Sequence, residues 1–255
     1  MKYDRNCRES GLSLIELMLA ITLGLMIIVS LGYIMQGSRA TYLTQDASAK
    51  VQDTGRFAMD FISRQIRAAG RTDITPLASD GRIGLDLDIT PITGTASALT
   101  VQYQLSEMGG NSIQDCNGDK QNELAGLPTI PGTTLHYGMV RNVISKNDTN
   151  LQCAGNGTAG GGQPFAENVE DIQFLYAIDS NGDQAVDSWT TNPANSNQIV
   201  AVQVCILVRS PNMGALNASQ SIANCTGGQS ASDTRLRRTF TSVFTLRNRV
   251  TVLPQ

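Results

Sequence analysis

The chain has 255 residues, enough for one or two domains, with 16% charged and 5% aromatic side chains. A formal net charge of -3 gives it no global attraction to nucleic acid or to an anionic membrane surface. One histidine, His136, and no nucleophile-elbow pattern argue against hydrolase chemistry, and no enzymatic activity is expected.

Residues 1–35 read MKYDRNCRESG-LSLIELMLAITLGLMIIVSLGYIM, with no charge from Leu17 to Met35. That length suits a helix crossing a hydrocarbon core of roughly 30 Å. Lys2, Arg5 and Arg8 precede it, so the N-terminus is expected to stay cytoplasmic and the remainder to be exported. A secretory signal has a shorter apolar core, about 7–15 residues, followed by a small-residue cleavage site. An ordinary single-span anchor explains the apolar run but not Glu16. A carboxylate at the centre of a membrane helix costs about 2.5–3.5 kcal/mol on insertion scales, less near an end, so it calls for a partner. Cleavage between Gly11 and Leu12 would create one, because the freed Leu12 amine of a neighbouring subunit could pair with Glu16 in a packed filament.

The run Gly11-Leu12-Ser13-Leu14-Ile15-Glu16 resembles the processing motif of type IV prepilins and pseudopilins. The resemblance implies that a membrane prepilin peptidase cuts after Gly11 on the cytoplasmic side and methylates Leu12. It makes Glu16 the assembly carboxylate. Leu12 departs from the phenylalanine that most members carry. The implied organisation is a leader at 1–11, a membrane and filament-core half-helix at 12–35, an amphipathic half-helix at 36–70 and a periplasmic β domain at 71–255. Ala20, Gly24 and Gly32 form a small-residue row suited to close helix approach.

Past the apolar run, Val51, Ala58, Ile62, Ile66 and Ala69 keep helical spacing, flanked by Phe57 and Phe61, with Gly70 as the stop signal. A helix from Leu12 to Ala69 would be roughly 85–90 Å long. The stretch from Thr54 to Gly70 is similar to the segment after the anchor in PilW-like minor pilins, as are 169–176 and 238–249. This resemblance implies a low-abundance subunit that primes pilus assembly and sits near the tip. Its partners would be other minor and major pilins, the prepilin peptidase and the inner-membrane assembly machinery. Two alternatives stay open: a minor pseudopilin of a type II secretion system, and a tip-mounted module for adhesion or DNA uptake.

Strands are expected at 83–89, 97–105, 133–144, 169–178, 198–209 and 237–252, with 198–208 central. No second helical pattern separates them, so one antiparallel sheet packed on the helix is expected, an α+β pilin fold. Long loops are expected at 108–131 and 147–164. Cys7 falls in the leader, which leaves Cys116, Cys153, Cys205 and Cys225 for an exported domain. Of their three pairings, Cys116–Cys153 and Cys205–Cys225 are favoured because each closes a Gly- and Asn-rich excursion.

Two loops, Asp115-x-Asn117-x-Asp119-x3-Glu123 and Asp179-x-Asn181-x-Asp183-x3-Asp187, repeat oxygen ligands at alternate positions, as part of a calcium loop does. Their glycine is at position 4 rather than 6 and the bidentate glutamate is missing, so an Asn-Gly turn between strands is the competing reading. No cofactor is expected beyond this candidate calcium site. The glycines from Gly155 to Gly162 lack a P-loop ending and read as a flexible loop. Arg235, Arg237, Arg238, Arg247 and Arg249 read as a solvated strand face rather than a nucleic-acid patch.

Overall fold

The computed structural model describes residues 13–71, 90–105, 114–119, 138–157 and 161–248. Gly11, Leu12, His136, Arg249, the strand expected at 83–89 and most of the loop expected at 108–131 lie outside them. The chain divides into two compact units, Met1–Asp46 and Ala47–Gln255.

One helix, α1 (Leu14–Ala68), runs through the boundary between the units, and its two parts have different surfaces. Every buried residue of α1 lies in the second unit: Ala47, Val51, Gly55, Ala58, Ile62, Ser63 and Ile66. The spacings of three and four place these residues on one stripe. Within that stripe Gly55 takes the Phe240 ring where a Cβ would stand, so the helix backbone comes down onto the sheet there. Gly70 ends the helix in the left-handed conformation (φ 68°), and its N–H donates to the Gln102 carbonyl at 2.8 Å.

Among the described residues the second unit holds two antiparallel sheets, not the single sheet expected. The first orders β1 (Ile92–Gly94), β2 (Ala98–Leu105), β3 (Gly138–Asn147), β4 (Asn150–Ala154) and β5 (Gln163–Glu167) in sequence. The second orders β7 (Ser188–Thr190), β6 (Val169–Ile178), β8 (Ile199–Arg209) and β9 (Arg237–Thr245). Strands β2, β6 and β8 lie where the hydrophobic patterning puts them. The loop expected at 147–164 instead contains β4, because Asp148 at φ 51° lets a two-residue turn fold the chain back, pairing Asn147 with Asn150. Strand β3 runs on to Asn147, and β9 ends at Thr245, while residues 249–252 of the strand expected there lie outside the described residues. The short strands β1, β5 and β7 escape an alternation test because three to five residues carry too little pattern.

One core joins these parts. Val51, Ala58, Ile62 and Ile66 of α1 meet Leu99, Val101, Ile144 and Leu151 of the first sheet and Phe174, Val202, Val204 and Ile206 of the second. Tyr176 locks the sheets together, its buried hydroxyl donating to the Thr95 and Ala98 carbonyls at 3.1 Å each. Phe61 stacks on Phe165 of β5 with ring centroids 4.2 Å apart.

Ile62 is fully buried while Phe57, five positions earlier, is 51% exposed. Ile62→Ala is expected to lower stability by about 2–5 kcal/mol through lost burial and a residual cavity. Phe57→Ala is expected to cost no more than about 0.5 kcal/mol. Denaturant midpoints of the full chain in detergent compare the two.

Candidate functional site: an uncovered apolar helix and a stapled domain

Between Ser13 and Ser38 the only charged side chain is Glu16, in the first turn of α1. The Ser13 carbonyl accepts from the N–H groups of Glu16 (3.0 Å) and Leu17 (3.1 Å), which starts the helix. A carboxylate there meets the positive end of the helix dipole, worth about 0.3–1 kcal/mol at an exposed site. The side chains around and after it form an apolar surface on all sides: Leu14 is 76% exposed and Met26 70%. Thr22 and Ser30 turn their hydroxyls back to the carbonyls of Leu19 (3.0 Å) and Met26 (2.8 Å), so they present no unmet donor to an apolar surround. Gly24 and Gly32 have no neighbour within 4 Å of a built Cβ, leaving open surface along the small-residue row. This helix is long and apolar enough to cross a membrane.

In the second unit, Cys116 bonds to Cys153 and Cys205 to Cys225, across 37 and 20 residues. Loop closure of these lengths is worth roughly 3–4 kcal/mol per bridge. Buried Asp115 organises the first bridge, its carboxylate accepting from the N–H groups of Asn117 (2.9 Å), Asp119 (3.1 Å) and Gly157 (2.9 Å). Gly155 and Gly157 sit so close to Asp115 and Asp119 that a Cβ would collide with either carboxylate. These glycines therefore serve close packing, which corrects the expectation of a merely flexible loop.

The 179–187 loop uses its oxygens in the same way. Asp179 accepts from the N–H groups of Gly182 (2.7 Å) and Gln184 (3.0 Å), and Asn181 from that of Asp183 (2.9 Å). Asp183 accepts from Ala185 N–H (2.8 Å), and Asp187 from Ser180 N–H (2.8 Å) and hydroxyl (2.5 Å). The Ser180 contacts hold the Asp187 carboxyl below its usual range. Among the described residues, no three His, Cys, Asp or Glu side chains converge as a metal cluster.

The C-terminal arginines do not form a uniform solvated face. Arg237 is buried between two acids, with Nε 2.7 Å from Glu170 Oε2, and Nη1 and Nη2 2.5 and 2.9 Å from the Asp233 oxygens. Arg209 joins Glu170 at 3.2 Å. Arg238 is exposed, 5.8 Å above the Phe240 ring. Glu170 reaches this network because the register of β6 against β8 shifts between Val169 and Asp171, and such a bulge re-aims a side chain. Its neighbour Asp171 accepts from Cys225 N–H at 3.0 Å.

Residues 139–248 match the family model PilW, described as Type IV Pilus-assembly protein W. Over that stretch the chain is similar to PilW-type pilus-assembly proteins. The match begins in β3 and closes just past β9, so it covers the region of Cys153, Cys205, Cys225 and the Arg237 network. Among solved structures the chain is similar to the type IV-like pilin TTHA1219 from Thermus thermophilus, at 13% identity and a TM-score of 0.44. That similarity covers 79% of this chain and 99% of the other. No curated protein matches the chain.

Glu16 lies outside the matched stretch, and it and the Arg237 network occupy different units. The network and Asp115 are the residues that strand alternation could not find. The adjacent acids Glu170-Asp171 at the head of a strand were the available signal. Burial pushes the Glu170 carboxyl up, but hydrogen bonds and charge from Arg237 and Arg209 outweigh it and leave it below its usual range. The Arg237 hydrogen bonds, with help from Arg235, lower Asp233 to about 2. Both acids are more acidic folded than unfolded, so their contribution is complete above about pH 5 and fades as pH falls toward about 2. Acid titration followed by near-UV circular dichroism is expected to show this loss, and Arg237→Ala is expected to flatten it. The same substitution is expected to cost about 2–4 kcal/mol, because it leaves Glu170 without its main counter-charge.

Proposed function

We propose that the chain is a minor subunit of a type IV pilus that takes part in priming and assembling the fibre. The observation that carries this reading is a first part of α1 that is apolar on every side with one carboxylate in its first turn, in a chain whose residues 139–248 match the PilW family model. In this reading residues 1–11 are a leader removed after Gly11, and prepilin peptidase methylates the Leu12 amine. The subunit then waits in the inner membrane with its N-terminus inside and the domain from residue 71 in the periplasm. Packing against other minor and major pilins replaces lipid around α1, and Glu16 meets the Leu12 amine of a neighbour. The pairing supplies at the fibre's core the counter-charge that the membrane lacks, and it fixes the axial offset between subunits. Disulfides suit an oxidising compartment and hold the domain together outside the cell.

Mass spectrometry of the mature chain is expected to find methyl-Leu12 at the N-terminus and no free thiol among Cys116, Cys153, Cys205 and Cys225. Glu16→Ala is expected to leave the subunit in the membrane but remove it from sheared fibres, as read by immunoblot of both fractions. Equal incorporation of Glu16→Ala and the parent would end this reading. Loss of pili with normal protein secretion on deletion of the gene separates it from a pseudopilin role.

A further inference from the structure

Among the described residues the two sheets have four outer edges, and three of them are blunted. Strands β1 and β7 have three residues each. Strand β5 has five residues, carries Pro164 and shifts register against β4 between Leu151 and Gln152. Shortness, proline and bulges are the means by which sheets refuse a further strand. The fourth edge, β9, has nine residues, no proline and an unbroken register with β8, from Thr245 opposite Ala201 to Arg237 opposite Arg209.

Which backbone groups β9 leaves open follows from its ends. Leu246 N–H donates to the Val200 carbonyl at 2.9 Å, and Ser210 N–H to the Leu236 carbonyl at 2.7 Å. Bonded and non-bonded pairs alternate along an antiparallel ladder, so the even-numbered residues between these points turn their N–H and C=O groups to β8. Thr239, Thr241, Val243 and Thr245 turn theirs outward, and among the described residues no backbone group meets them. Their side chains are uncharged and β-branched, the kind that favours strand pairing.

Beside this edge runs a groove of about 430 Å³ between β9 and one flank of α1, lined by Arg56, Met59, Asp60, Arg238, Phe240 and Phe244. Asp60 is paired with Arg64. Arg56 and Arg238 have no carboxylate partner among the described residues. We infer that β9 accepts an extended segment of another protein as a fifth strand, with an acidic side chain of that segment turned into the groove against Arg56 and Arg238. Main-chain hydrogen bonds supply the affinity in strand addition, and the alternate side chains supply the selectivity. A second copy offering its own β9 would bring two more arginines to the same seam, which favours a different, acidic partner.

The test uses the full chain in detergent micelles and two synthetic nine-residue peptides. Both alternate valine and threonine with a charged residue, which is glutamate in one and lysine in the other. The glutamate peptide is expected to slow amide exchange over 239–245 at least tenfold and to bind at least tenfold tighter than the lysine peptide. Thr241→Pro removes an outward-pointing N–H that no described residue uses, and is expected to abolish both effects. The double variant Arg56→Glu with Arg238→Glu is expected to reverse the preference between peptides, which keeps the test decisive if the proline variant misfolds. The proposal fails if neither peptide slows exchange, or if both slow it equally. It also fails if the edge exchanges slowly in the free chain, because the chain's own residues then cover it, or if protection grows with protein concentration, because the partner is then a second copy.

Discussion

One apolar stripe on α1 makes the domain possible. Val51, Ala58, Ile62 and Ile66 are buried in a core that draws on both sheets. Each fully buried aliphatic side chain is worth about 1.5–3 kcal/mol, so the stripe supplies a large share of a marginal total. Without it, the faces carrying Leu99, Val101, Val202 and Val204 would have lost a surface to close upon. Gly55 matters for the same reason: a side chain there would lift the helix off Phe240. The stripe is confined to the second unit, and the preceding part of α1 has no such asymmetry.

Strand β8 shows how the rest of the domain follows. Its even-numbered residues, Val202, Val204, Ile206 and Val208, enter the core. Its opposite side is also closed, since Ala201, Cys205 and Leu207 are buried as well. Cys205 bonds to Cys225 there, and Asp171 receives the Cys225 N–H beside it. The excursion between β8 and β9 is thus a fastened cover, and Arg237, Glu170 and Asp233 seal the end at which it rejoins the sheet.

Periodicity made the long elements legible. A stripe at spacings of three and four marked the second part of α1, and alternation marked β2, β6 and β8 with nearly correct bounds. The number of sheets was not legible, because alternation says that a strand has a buried face without saying which neighbour covers it. Strand β4 was missed because its turn, Asp148-Thr149, has no glycine. A left-handed Asp does the same work less visibly. At the candidate sites the charge of Glu16 stood out against its surroundings, whereas Asp115 and Glu170 stood among ordinary polar residues. Their roles arise from partners 42 and 67 residues away, Gly157 and Arg237, which no local pattern reveals.

The end of α1 is also tied to the end of the described chain. The Asn248 side-chain amide donates to the carbonyls of Arg67 (3.1 Å) and Ala69 (3.3 Å), three residues beyond β9. Gly70 packs against the Asn248 backbone in the same place. The end of α1 and the chain leaving β9 therefore hold one another, and neither can fray without giving up the other's hydrogen bonds.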